Sequence, residues 1–273
     1  MAKAFSLASW NVEHFRGKPA RTERVLDFLN EQNPDVFALL EVEGKDVFST
    51  LVARMPGYQF HITEGPQVQE VLVGVKRGFT AFFTQKVTFK TGNTFLRPGA
   101  LLTITIDGEH YSVLFLHTKS SAEPIGLGIR DEQFSRAFTL KKKVLDKGAG
   151  GSGKAHFLFL GDLNTMGMDY PFDKDIDASV ELQKLDLDAG KVKMRRLTKN
   201  HPHTWWNGPR SRYKPADLDH VVASTHLEFK RVGGADIDVR GWPRLATSKE
   251  QGAWIKDYSD HGLLFLTVEK VKK

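Results

Sequence analysis

The stretch that most constrains this chain is residues 156–164, HFLFLGDLN. Phe157 to Leu160, with Ala155 just before them, form an apolar run that reads as a strand buried on both faces, and Gly161 lets the backbone turn sharply after it. Asp162 and Asn164 follow at once. Residues i and i+2 of an extended chain share a side, so a carboxylate and a carboxamide leave the strand end together. The first can take a proton from a nucleophile or bind a metal; the second can donate N–H to a phosphate oxygen without adding negative charge beside it. An isolated GDLN is also what an ordinary polar turn looks like, so the rest of the chain has to decide.

Other buried strands end the same way. Residues 5–12 alternate as a strand and run into Asn11, Glu13 and His14. Helical spacing of Val25, Phe28 and Leu29 predicts a helix over 19–30, started by Pro19 and stopped by Asn33-Pro34. A second buried strand over 35–40 ends in Glu41. A helix over 46–54 leads into β segments at 58–62, 68–75, 80–90, 100–106 and 111–117, with Asp107-Gly108 as a hairpin signal. An amphipathic helix is expected over 129–145 and another over 176–187, with strands at 218–223, 226–232 and 263–268. Repeats and linkers are absent, so the expectation is one α/β domain over 1–273, two packed mixed sheets with outer helices in four α/β/β/α layers.

Lys and Arg exceed Asp and Glu by 6, which favours anionic partners without requiring them. The chain has no cysteine, so disulfides, thiolate zinc sites and cysteine nucleophiles are excluded. With neither a signal-like apolar run nor eighteen consecutive apolar residues, a cytoplasmic, unanchored protein is expected. GAGGSGK, residues 148–154, has the spacing of a nucleotide-binding P-loop, but Ala155 replaces the hydroxyl residue and the motif lies after a helix and before a strand. A flexible connection is the better reading.

The polar residues at strand ends form a set: Asn11, Glu41, His117, Asp162 with Asn164, Asp219, and Asp260 with His261. Gathering carboxylates is costly unless a cation joins them. Oxygen donors without cysteine suit Mg²⁺ or Mn²⁺ better than zinc.

The order WNVEHF, ALLEVEG, LFLHTKS, FLFLGDLN, DLDHVVAS and YSDHGLLFL resembles the endonuclease/exonuclease/phosphatase superfamily, the fold of deoxyribonuclease I and exonuclease III, from about Ser9 to Phe265. The resemblance implies that Glu41 is the principal metal carboxylate, helped by Asn11 and Asp260, with Glu13 where abasic-site endonucleases carry an additional acid. It implies that Asp162 aligns or deprotonates the attacking water, that Asn164 and His261 hold the scissile phosphate, and that Asp219 holds the His261 imidazole. The implied chemistry is phosphoester hydrolysis by in-line water attack.

The markers of branch conflict. His117 stands where deoxyribonuclease I-like and sphingomyelinase-like members carry a second catalytic histidine; it can protonate the leaving oxygen, with Glu70 in QEVLVGVKR resembling its acid partner. Arg97 in FLRPGAL resembles a phosphate-contacting arginine. Thr204-Trp205-Trp206 looks like exonuclease III and its abasic-site relatives, whose aromatics near this place wedge into DNA; these tryptophans either stack on a base or fill a core. Glu43 stands where DNA-cutting relatives commonly offer a base, with Lys45 close by. Arg210, Arg212 and Lys214, Arg130 and Arg136, and Lys141 to Lys143 can supply a phosphate track instead, or be solvated surface. His201 and His203, flanking a proline, are weak metal candidates. The expectation is a monomeric Mg²⁺- or Mn²⁺-dependent nuclease acting on DNA. The alternative is a phosphodiesterase or phosphatase for lipid, inositol or other small phosphoesters, and a third reading is a nucleic-acid-binding module that no longer cuts.

Overall fold

Both buried apolar runs become interior strands of six-stranded mixed sheets in the computed structural model, which describes residues 2–66 and 69–271. The elements are β1 (Lys3–Phe15), α1 (Pro19–Gln32), β2 (Val36–Val42), α2 (Lys45–Arg54), β3 (Tyr58–Ile62), β4 (Glu70–Lys76), β5 (Thr80–Lys86), β6 (Gly99–Ile106), β7 (Glu109–His117), α3 (Pro124–Leu140), α4 (Asp146–Gly148), β8 (His156–Asp162), α5 (Ala178–Lys191), β9 (Met194–Arg196), β10 (Asp219–Ser224), β11 (Asp238–Arg240), α6 (Ser248–Asp257) and β12 (Leu263–Glu269). They fall into two compact units, residues 1–79, 198–216 and 228–273, and residues 80–197 and 217–227.

The first unit holds the sheet β11-β12-β1-β2-β4-β3. Its one parallel pair is β1 with β2, and α1 is the crossover that a parallel pair requires. Pro19 opens α1 and Asn33, at φ 50°, closes it by donating its N–H to the carbonyls of Leu29 and Asn30. Val25, Leu26 and Leu29 of that helix join Trp10, Val12, Phe37 and Leu39 in the unit's core.

The second unit holds the sheet β5-β6-β7-β8-β10-β9, again with one parallel pair, β7 with β8, and with α3 in the crossover between them. Phe134, Ala137 and Phe138 of α3 pack with Leu114, Phe157 and Phe159. Asp107 and Gly108, at φ 55° and 84°, form the expected two-residue hairpin turn between β6 and β7.

The structure departs from expectation at several elements. Residues 87–90 leave β5 as a 3₁₀ turn, which swings Phe89 into the core of the unit. The expected strand over 226–232 is irregular: Leu227 donates its N–H to Ser224, and only isolated bridges involve Phe229 and Val232. The helix expected over 129–145 starts at Pro124 and passes through a π-helical stretch at Lys141–Leu145, where buried Lys141 pairs with both carboxylate oxygens of Asp146. The expected strand over 68–75 begins outside the described residues and is observed as β4. The helix α6 was not anticipated, although Thr247 and Glu250 form a capping box. Among the described residues no helix is long and apolar enough to cross a membrane.

Gly161 fixes the end of β8. Its φ is 138°, and a Cβ there would lie 2.1 Å from the Leu116 carbonyl oxygen of β7. Gly161→Ala is expected to lower stability by ~2–3 kcal/mol in urea unfolding, through backbone strain and separation of the strands that carry His117 and Asp162.

Candidate active site

In the first unit, β1 and β2 run in register from Leu7 opposite Val36 to Asn11 opposite Leu40, then break until Phe15 meets Val42. Within that bulge Glu13, His14 and Glu41 have φ of 44°, 46° and 63°, a region that side-chain-bearing residues rarely occupy. A bulge re-aims the side chains at a strand end. Here it turns Glu41 so that its Oε1 accepts from Asn11 Nδ2 at 3.1 Å and its Oε2 accepts the His14 N–H at 2.9 Å. The Glu13 N–H donates to Asn11 Oδ1 at 3.0 Å.

Asp260 and His261, between α6 and β12, are held by three indoles. Trp205 Nε1 donates to Asp260 Oδ2 at 2.7 Å, Trp242 Nε1 to the Asp260 carbonyl at 3.1 Å, and Trp10 Nε1 to the His261 carbonyl at 2.9 Å. Ser259 ties the same segment to β1, donating its hydroxyl to the Asn11 carbonyl at 2.7 Å and accepting the His261 N–H at 3.1 Å. Asp260 Oδ1 is buried and has no hydrogen-bond partner.

This corner is electrostatically costly. Burial pushes the Glu13 carboxyl above its usual range, and the charges of Asp260 and Glu41 add to the rise; Arg21 opposes it without cancelling it. Arg21 spends its own N–H groups on the carbonyls of Val12 and Tyr258. A buried carboxylate oxygen among acids that has no hydrogen bond, with His261 Nε2 3.9 Å away, fits a hard cation. Mg²⁺ keeps much of its water and takes one or two carboxylates, so Glu41 and Asp260 suffice as an anchor with Asn11 and Glu13 beside them. Among the described residues, Glu13, Glu41 and Asp260 do not bring three oxygens within 4.8 Å of one another.

In the second unit, His117, Asp162 and Asp219 stand side by side on β7, β8 and β10. His117 Nε2 lies 3.5 Å from Asp162 Oδ2, and Asp162 and Asp219 bring carboxylate oxygens within 4.8 Å. Asn164, at φ 48°, donates its N–H to Asp162 Oδ1 at 3.0 Å and its Nδ2 to the Thr118 carbonyl at 3.3 Å. Arg97 lies against the His117 ring, with Nε 3.1 Å from Nδ1 and a terminal nitrogen 2.7 Å from Nε2. A guanidinium only donates, so it must meet a lone pair of the imidazole.

The other residues singled out in the sequence have the following surroundings. Arg130 is not on a phosphate track: it is fully buried, pairs with Glu181 at 2.6 Å and gives its other donors to the carbonyls of Lys119, Ser121 and Gly167. Lys141 is removed from the track by its buried pairing with Asp146. Trp205 is half-buried with its N–H committed to Asp260, and Trp206 lies 6.0 Å from Trp242, so both pack within their unit. Glu43 faces His14 at 2.6 Å and Arg16 at 3.1 Å, and its side chain is only 4% exposed. Its partnership pushes the His14 imidazole up from its ordinary value. Glu70 accepts from Thr63 Oγ1 at 2.5 Å. Arg210 and Arg212 are exposed, and Arg212 stacks on Tyr213. His201 Nδ1 faces the His203 carbonyl at 2.8 Å, a loop contact. In GAGGSGK the N–H groups of Gly150, Gly151 and Lys154 go to the chain's own carbonyls, which leaves no anion cradle from these three. Sequence reasoning missed Ser259, Trp10, Trp242 and Arg21. Ser259 and Trp10 carried a signal, being adjacent to Asp260 and Asn11.

The model of the Endonuclease/Exonuclease/phosphatase family matches residues 8–261. A search of curated proteins returns no match. Among solved structures, truncated TDP2 of Caenorhabditis elegans is similar at TM-score 0.67 and 17% identity, over 97% of each chain. TDP2 of D. rerio, solved with a single-strand DNA product, is similar at TM-score 0.67 and 15% identity, over 97% of this chain and 99% of that one. The human Nocturnin catalytic domain, solved with a bound sulfate, gives TM-score 0.61 and 14% identity over 99% and 94%. Likeness at these identities establishes the fold, the deoxyribonuclease I-like α/β class that the sequence led us to expect.

Below the ordinary value of 4.5, Glu13 is protonated in folded and unfolded chains alike; above its raised folded value, its ionised form subtracts stability. Glu13→Gln is therefore expected to raise the melting temperature of metal-free protein at neutral pH, at ~2–4 °C per kcal/mol of relieved repulsion. The gain should vanish below pH 4.5 and shrink when Mg²⁺ is added, as read by thermal melts across pH.

Proposed function

The chain belongs to the Endonuclease/Exonuclease/phosphatase family of phosphoester hydrolases, and from that premise we propose that it is a nuclease cleaving phosphodiester bonds in DNA, dependent on Mg²⁺ or Mn²⁺. The observation that carries the reading is the buried Asp260 oxygen, without a hydrogen bond, among acids at the ends of β1 and β2. The positive net charge and the D. rerio TDP2 structure with a single-strand DNA product support nucleic acid as the substrate.

In this reading residues 1–273 work as one catalytic domain and as a monomer. Glu41, Asn11, Asp260 and Glu13 would hold the metal, which when bound supplies stabilisation of charge on the phosphate oxygens and leaving group. Asp162 takes the proton of the attacking water. Asn164, held by its backbone to Asp162, donates its amide N–H to a phosphate oxygen, and His261 contacts the same phosphate with Asp219 holding its imidazole. Arg97 binds a phosphate oxygen. With Arg97 turned from the His117 ring to the phosphate, His117 would take up a proton and give it to the leaving oxygen, with Glu70 as its acid partner.

A second reading keeps the chemistry and takes a small phosphoester. His117 favours it, as a marker of those branches. Glu43 no longer does, since it is paired with His14 and Arg16 rather than presented to a substrate.

The test is a gel assay on supercoiled, linear, single-stranded and abasic-site DNA with EDTA, Mg²⁺ or Mn²⁺. Metal-dependent cutting is expected; no cutting of any DNA by folded, metal-supplied protein, with turnover of lipid or sugar phosphates, would replace this reading with the second. Asp162→Asn is expected to slow turnover by ~10²–10⁴-fold without loss of fold by circular dichroism, and near-normal turnover would remove Asp162 from the chemistry. His117→Ala should slow the reaction least on nitrophenyl esters, whose leaving group needs no proton; an equal loss on all leaving groups would remove it as the acid.

A further inference from the structure

A groove of ≈ 1060 Å³ opens beside Glu13 and His14, within the first unit. Its walls come from residues 16–21, from the loop 207–210 that follows Trp205 and Trp206, and from one face of α6. That face is Lys249, Gly252, Ala253 and Lys256, the i, i+3, i+4, i+7 stripe of a helix. Gly252 sets how near the walls come, since a Cβ there would lie 2.7 Å from Pro209 Cδ.

The groove is cationic, and its cations differ in availability. Arg16 is paired with Glu43 and Arg21 is committed to carbonyls. The side chains of Lys18, Arg210, Lys249 and Lys256 are exposed and make no ion pair or hydrogen bond among the described residues. Glu13 is the one carboxylate of the lining, at the end that adjoins Glu41 and Asp260. Lys18 also stands at the start of α1, whose positive dipole end adds to the field.

We propose that this groove holds the phosphodiester backbone flanking the reacting phosphate, so that the substrate is a nucleic-acid strand extending over α6 rather than a single small phosphoester. The inference rests on the nuclease reading and, with Arg130 and Lys141 buried, extends its track from Arg210 to α6 and Lys18. Two observations carry it. Lys249 and Lys256 lie seven residues apart on one helix face, about 10 Å along the axis, which is farther than one phosphate group reaches. The free cations come from three separate segments around one concavity, a geometry that follows a chain of charges. An anionic lipid surface fits less well, because the lining presents no exposed large apolar side chain to enter a bilayer.

The test uses the full chain and a labelled oligothymidylate in EDTA, so that nothing turns over, with affinity measured against salt for wild type and for Lys18→Gln/Lys249→Gln/Lys256→Gln. Each lost phosphate contact flattens the slope of log K against log salt by ~0.7 for a single strand, so the triple variant is expected to lose ~2 of slope and about tenfold or more in low-salt affinity. Unchanged slope and affinity in a variant that melts like wild type would overturn the proposal. So would binding of phosphatidylserine vesicles, lost in the variant, by a protein that does not bind the oligonucleotide. Turnover of bis(4-nitrophenyl) phosphate with Mn²⁺ separates the two failures. If that ester and DNA are cut but the slope is unchanged, the groove assignment alone fails; if neither is cut while the slope flattens, the groove stands and the nuclease reading fails.

Discussion

The gathering of the half-buried carboxylates Glu13, Glu41 and Asp260 about the ends of β1 and β2 is the constraint on which the site in the first unit depends. Burial and the charges of Asp260 and Glu41 make ionisation of Glu13 costly, and the nearby Arg21 is spent largely on carbonyls. The chain meets that cost with backbone in the left-handed region at Glu13, His14 and Glu41, with three indole N–H groups on the 260–261 segment, and with a serine that ties it to β1. Such investment in holding like charges together is characteristic of a site that binds a cation.

The second unit reaches a comparable arrangement by the same topological device. In each sheet the one parallel pair is joined by a helical crossover, and the candidate side chains leave at the carboxyl ends of the paired strands: Asn11 with Glu41, and His117 with Asp162. This is where open α/β sheets present ligand-binding groups. Gly161 lets β8 approach β7 closely enough to set His117 beside Asp162, and Asn164 then turns its N–H back on the Asp162 carboxylate.

Much of this was legible in the sequence because buried strands announce themselves as apolar runs and their ends as abrupt polarity. Residues 36–40 and 157–160 locate two interior strands, and the acids and amides after them locate the two constellations. Periodicity failed where a residue's neighbours in space, rather than in sequence, decide. The alternation at 226–232 promised a strand, yet Leu227 and Phe229 are buried from an irregular segment. Arg130 looks like any surface arginine until Glu181, fifty-one residues away, is found against it. Trp205 reads in the sequence as an aromatic for a base or for the core, and its N–H partner, an aspartate fifty-five residues on, is not visible there. The left-handed backbone at Glu13, His14, Glu41 and Asn164 left no trace, because no glycine marks it. The groove beside α6 was equally hidden, since its cations come from three distant segments.

The central claim is that the carboxylates of β1, β2 and the 260–261 segment are held for a divalent cation. Mn²⁺ binding followed by electron paramagnetic resonance, with wild type and Glu41→Gln in parallel, tests it without reference to any substrate. Saturable Mn²⁺ binding by wild type, competed by Mg²⁺ and strongly weakened in the folded variant, is the predicted result. A folded wild-type protein that binds no Mn²⁺, or a Glu41→Gln variant that binds it as well as wild type, would contradict the account.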